Sequence, residues 1–365
     1  MNIWRLTVAL LLLFSGSALA AVAPPTSRDV VVAFSDLEPA LAYGDLVLLQ
    51  RGTGTLAQVT VLSVLNGDAD ALKALVADPL NNKQLSSAVK EVRVTERKGD
   101  VVRYTSVMDT PAGSATMHSV MKTGPGRDLY ISSTGGVAGE FAWRFTPLPG
   151  GRTGVEHGLL IDMKEMGSFV SSVFKKTPGL KVGINAAAGL MWMDGLRRLS
   201  TTRLGVKQRG DARALPGLAN LPGADGVMKA LSELVRHGQV AWVGDRETML
   251  MGLRPESPSE VRQKMSAPAG RYEMTMETPL RDVHVKVDQR FEQGNLLETI
   301  DGGESIDGRW QWRFEPIEYG TLLTMRTSMD PGKLWIMKLV LSIDPSVAPA
   351  VRLSAALNPW VRANL

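Results

Sequence analysis

Side chains able to do acid–base or metal chemistry are few in this chain and poorly spaced for it. The four histidines, His118, His157, His237 and His284, stand far apart, with no His-x-x-x-His pair and no carboxylate spacing that suggests a metal. Glu156 and His157 are adjacent, but successive side chains of a strand point to opposite faces, so they cannot act on one group. Cysteine is absent, which removes thiolate nucleophiles, disulfides and Cys-based zinc sites together. No Gly-x-Ser-x-Gly elbow, phosphate loop or dinucleotide fingerprint is present, and the glycines fall in turns. The residues therefore predict no catalytic centre, no metal and no cofactor.

What the chain does carry is a duplication. Tyr104-Thr-Ser-Val-Met-Asp-Thr-Pro111 returns as Tyr272-Glu-Met-Thr-Met-Glu-Thr-Pro279, and Trp143-Arg-Phe-Thr-Pro-Leu148 returns as Trp312-Arg-Phe-Glu-Pro-Ile317. Tyrosine and tryptophan are 39 residues apart in the first copy and 40 in the second. Thr177-Pro178 and Asp344-Pro345 follow, each a helix cap with proline at the first helical position. The period is too long for a solenoid or propeller, so two tandem domains of one fold are expected.

The N-terminus reads as a secretory signal peptide. A cationic start ending at Arg5 precedes the apolar Leu6 to Phe14, and Ala18-Leu19-Ala20 is a small-x-small cleavage site. Residues 1–20 are assigned to that signal, with cleavage after Ala20 and export to the periplasm. Residues 21–57 form a leader and N-terminal extension, 58–203 the first domain, 204–223 a linker and 224–365 the second domain. Forty-one Lys plus Arg against 37 Asp plus Glu leave +4, with no basic run, which disfavours nucleic acid and allows transient contact with a membrane surface.

Each copy reads as a strand, a short helix, several meandering strands and a long C-terminal helix. That order predicts an α+β fold in which a curved antiparallel sheet wraps around the helix. From first strand to shared tyrosine the first copy uses 46 residues and the second 25, so the second is the reduced one. Trp143 and Phe145 share one strand face, with Arg144 on the other, and Trp312, Phe314 and Arg313 repeat this. Val182 to Met193 is apolar nearly all round its helix, with Gly183, the alanines 186 to 188 and Gly189 leaving room beside it. Either core packing or a cavity wall accounts for these residues.

Trp143-Arg-Phe-Thr-Pro-Leu-Pro-Gly-Gly-Arg-Thr-Gly-Val155 resembles the late hairpin of the START-like, helix-grip (SRPBCC, polyketide cyclase/dehydrase) superfamily. The resemblance covers about Val59 to Leu199 and, more loosely, Thr248 to Val361. It implies an apolar cavity between sheet and helix for a hydrophobic small molecule or lipid. Cavity-lining candidates are Tyr104, Met108, Trp143, Phe145, Ala187, Leu190, Met191 and Trp192, and in the second copy Tyr272, Trp312, Phe314 and Trp335. The expected function is an exported carrier or sensor that performs no chemistry. An aromatase/cyclase-like or hydrolytic enzyme, using Arg144 or Arg313 with a carboxylate, and a scaffold with filled cores are the alternatives.

Overall fold

Among the described residues fifteen antiparallel strands form one continuous sheet across both copies. The computed structural model describes residues 34–50, 57–110, 113–135, 138–161, 179–208, 214–245, 247–265, 270–277, 282–292, 294–301 and 307–329, with residues 353, 356, 357 and 360. The signal peptide, residues 21–33 and Trp335 lie outside these. In chain order the first half contains α1 (Phe34–Leu41), β1 (Gly44–Gln50), β2 (Ala57–Asn66), α2 (Ala69–Ala77), α3 (Asn82–Leu85), β3 (Val89–Lys98), β4 (Val101–Thr110), β5 (Gly113–Thr123), β6 (Asp128–Gly135), β7 (Gly139–Leu148), β8 (Arg152–Ile161) and α4 (Gly179–Leu204). The second half contains α5 (Ala224–His237), β9 (Gln239–Gly244), β10 (Thr248–Arg254), α6 (Pro258–Met265), β11 (Gly270–Glu277), β12 (Asp282–Glu292), β13 (Asn295–Asp301), β14 (Asp307–Ile317) and β15 (Gly320–Met329).

The spatial order is β11-β12-β13-β14-β15-β10-β9-β1-β2-β8-β7-β6-β5-β4-β3. In each half the first long strand closes on the last (β2 on β8, β10 on β15), and the meander fans outward from there. This is the helix-grip order, with seven strands in the first half and six in the second. Local chemistry sets the element ends. Asp68 caps α2 by accepting from the Asp70 and Ala71 amides, Asp78 with Pro79 stops that helix, and Gly150 and Gly151 take positive φ in the β7–β8 turn.

The residues assigned to the leader and N-terminal extension include α1 and β1, and β1 is the seam. It pairs with β2 on one side and β9 on the other, with Val47 opposite Ala241. Its run Asp45-Leu-Val-Leu-Leu lacks polar alternation because both faces are covered. Val47 and Leu49 face the core beneath α4, while Leu46 and Leu48 face a second core formed with α1 and α5. Glycines let the seam close: a Cβ on Gly44 would lie 2.5 Å from the Val243 carbonyl oxygen, and one on Gly238 2.5 Å from that of Leu49. Within the expected linker, Leu215, Leu218 and Leu221 are buried in the same second core. Among the described residues no helix is long and apolar enough to cross a membrane.

The small residues of α4 mainly serve close contact. A Cβ on Gly189 would come within 2.8 Å of Val61 and Leu159 side-chain atoms, and one on Gly195 would strike the Leu85 carbonyl. The expectation of open space along this helix is corrected at Gly189.

Because Val47 is fully buried at the seam, Val47→Asp should cost on the order of 3 kcal/mol or more. Urea denaturation followed by tryptophan fluorescence and circular dichroism should show both halves losing structure together at a lower midpoint.

Candidate functional site

Strand parity gives the sheet of the first half one face on the side of the long helix, which packs on β1, β2 and β8. On that concave face of the first half lie Tyr104, Ser106 and Met108 of β4, Met117, Ser119 and Met121 of β5, and Ile131 and Ser133 of β6. Phe141, Trp143 and Phe145 of β7 and Val155, His157 and Leu159 of β8 continue it. Trp143, Phe145 and Leu190 are buried in the main core, which runs through both halves. Met108 and Met117 instead form a smaller cluster with Val89, against which Phe141 and Ala188 of α4 pack.

A polar row crosses this wall. Tyr104, Ser119 and Ser133 are direct partners across β4, β5 and β6, and the two serine hydroxyls are 2.7 Å apart. The Tyr104 hydroxyl bonds Ser119 and Asn82 of α3, and burial pushes the phenol's pKa above its ordinary value. All three residues of the row are buried. An uncharged, hydroxyl-bearing strip in an apolar wall suits the polar end of an otherwise apolar molecule.

His157 stacks on Trp143 with ring centroids 3.7 Å apart. Its Nδ1 lies 3.1 Å from the Ala142 carbonyl, and its Nε2 has no hydrogen-bond partner among the described residues. Burial pushes its pKa down to about 3, against the opposing pull of that carbonyl, so the imidazole stays neutral at physiological pH. Glu156 points the other way, as alternation requires, and binds Arg144 at 3.1 Å; Arg144 also reaches Asp128 at 3.2 Å. Arg144 is thus held on the opposite face, away from Trp143 and Phe145, and has no place among the concave-face side chains.

Of the other candidates, Ala187 is buried outside these clusters, while Met191 and Trp192 are half-buried, with Trp192 packed on the main core. In the second half Trp312 and Phe314 are buried in that core, and Trp312 stacks on Trp360 at 5.8 Å. Half-buried Tyr272 donates to Glu298 at 2.7 Å. Gln289 Nε2 and Trp312 Nε1 also donate to this carboxylate, at 3.1 and 2.7 Å. Burial and the neighbouring carboxylate push the Tyr272 phenol's pKa up. Sequence reasoning missed Ser119, Ser133, His157, Gln289 and Glu298. Ser119, Ser133 and His157 share parity with Met117, Ile131 and Val155, and Gln289 and Glu298 with Val287 and Ile300.

The opposite face of the second half carries a groove of about 420 Å³ lined by Arg290, Glu292, Arg309 and Arg326 among others, with Arg326 held by Glu247.

Solved structures similar to this chain include START-type and aromatase/cyclase proteins. The di-domain aromatase/cyclase StfQ of steffimycin biosynthesis matches 84% of this chain and 99% of its own at 10% identity, TM-score 0.29. The human StarD13 lipid transfer and protein localization domain matches 42% of this chain and 83% of its own at 12% identity, TM-score 0.34. The Zhui aromatase/cyclase from Streptomyces sp. R1128 matches 40% and 98% at 15% identity, TM-score 0.31. No family model matches the chain, and no curated protein matches it. These likenesses settle neither ligand nor activity.

His157 gives a pH prediction. Its folded pKa lies below the ordinary 6.5, so the unfolded chain binds the extra proton first, and stability present above pH 6.5 is lost as pH falls toward 3. The slope is about 1.4 kcal/mol per pH unit in that window. His157→Met, which installs the residue standing opposite Trp312 in the second half (Met325), should remove that component from urea midpoints measured between pH 4 and 7.

Proposed function

We propose that this chain is an exported two-part binder of a hydrophobic or amphiphilic small molecule, acting as carrier or sensor without chemistry. The supporting observation is the first half's concave wall, where the Tyr104–Ser119–Ser133 row runs beside Met108, Met117, Phe141 and Ala188. Met108 and Met117 are adaptable apolar surface, suited to a ligand whose shape is not rigidly specified. The row would orient the ligand's polar end while apolar contacts supply affinity. Each buried methylene contributes on the order of 0.8 kcal/mol.

Export rests on the signal-like N-terminus; Edman sequencing of protein recovered from its own compartment should begin at Ala21. Ala188→Trp adds bulk beside the methionine cluster. N-phenyl-1-naphthylamine titration should show at least tenfold weaker binding, with the melting temperature within a few degrees of the parent. Unchanged binding with a large loss of stability would mean the wall is solid there. Reproducible turnover of an ester or polyketide mimic would overturn the non-enzymatic part.

A further inference from the structure

The concave face of the second half holds a polar row that its packing does not explain. Thr248 of β10, Thr327 of β15, Trp310 of β14, Glu298 of β13 and Gln289 of β12 are successive ladder partners across five strands. Their exposures are 0, 4, 2, 5 and 8%, so every one is more than nine-tenths buried. Yet Thr248 Oγ1, Thr327 Oγ1, Trp310 Nε1 and Gln289 Oε1 have no hydrogen-bond partner among the described residues. Native interiors leave few buried polar atoms unpaired, and each such group calls for a partner. Four of them in one register row is a local feature, not scattered noise.

The fold does not require polarity at this level. Aligning Trp143 with Trp312, the matching row of the first half is Val59, Leu159, Phe141, Ile131 and Met121. Conversely, the first half's Tyr104–Ser119–Ser133 row corresponds to Tyr272, Val287 and Ile300. The halves carry their polar rows at different levels of one scaffold, two residues apart along the strands.

We propose that the Thr248–Gln289 row is a second binding site, and that its ligand is an uncharged hydroxylated molecule of the polyol-headgroup kind. Trp310 Nε1 can only donate, the Gln289 oxygen can only accept, and the two threonine hydroxyls do either. A hydroxyl both donates and accepts, so it satisfies any member of the row. An ammonium group cannot accept from Trp310, and an anionic head would face the Glu298 carboxylate. Glu298 already receives Tyr272, Trp312 and the Gln289 amide, which turns the Gln289 oxygen away as an open acceptor. Strands about 4.8 Å apart make the row roughly 19 Å long, room for several hydroxyls.

The test uses the full chain and three probes with a shared eighteen-carbon tail: monoolein, methyl oleate and oleylamine. Binding is followed by tryptophan fluorescence, with bound molecules counted by native mass spectrometry. Monoolein should bind more tightly than methyl oleate. Thr248→Val/Thr327→Val should weaken monoolein at least tenfold, about one hydrogen bond's worth, while its melting temperature stays level or rises. Repeating the titration in the Ala188→Trp background isolates the second half, so failure of the first-half site does not obscure the result. Equal affinity for monoolein and methyl oleate, or unchanged monoolein binding in the double valine variant, would sink the proposal. Tighter binding of oleylamine would overturn the hydroxyl assignment in favour of a cation.

Discussion

The backbone ladder between β1 and β9 is the contact on which the rest of the molecule depends. It joins the two halves through paired main-chain groups, and an antiparallel ladder fixes both register and face. A slip of one residue would turn Val47 and Leu49 from the α4 side to the α1 and α5 side. Held in place, the seam puts the concave faces of both halves on one side of the sheet, where a single buried cluster runs from Trp143 to Trp312. Arg197 of α4 reaches across this face to Asp45 of β1 and Ser63 of β2 in a mostly buried ion pair. Such a pair adds little net stability, but breaking either side would strand a buried charge. It ties the long helix of the first half to the strand that carries the second.

Parity then decides what each half can bind. Residues two apart on a strand share a face, so a polar row can move along the strands in steps of two without leaving the concave side. The two halves differ by one such step. The first half places hydroxyls beside methionines at the Tyr104 level; the second places threonines, an indole N–H, an amide and a carboxylate at the Trp310 level. A step of one residue would have exported the row to the opposite face. The duplication thus preserved the aromatic pairs while leaving the level of polarity free to change.

Much of this was legible in the sequence where local pattern and tertiary position agree. The aromatic pairs, the opposition of Glu156 and His157, the capped α2 and the strand–helix order all follow from periodicity and turn chemistry. β1 was not legible, because a strand buried on both faces shows no alternation and its partner lies nearly 200 residues away. The polar rows were hidden for a related reason: each contributes one residue per strand, and only the register aligns them. Glu298, between Leu296 and Ile300 in parity, looks like a surface charge until β12 and β14 close over it.

The missing segment of the second half and its buried carboxylate are two aspects of one change. In the first half the tyrosine hydroxyl is hydrogen-bonded by Asn82, carried on α3 between the first strand and β3. The second half is about twenty residues shorter there, and α6 stands alone before β11, which becomes the sheet edge. Among the described residues Tyr272 has no counterpart of Asn82, and Val287 stands in place of the serine beside it. A half-buried phenol left without a partner is costly, so the ring must find an acceptor one strand further in. Glu298 supplies it, and the carboxylate in turn draws in Gln289 and Trp312. The two tyrosines thus keep one place in the ladder with different partners, a serine and an amide in the first half and a carboxylate in the second.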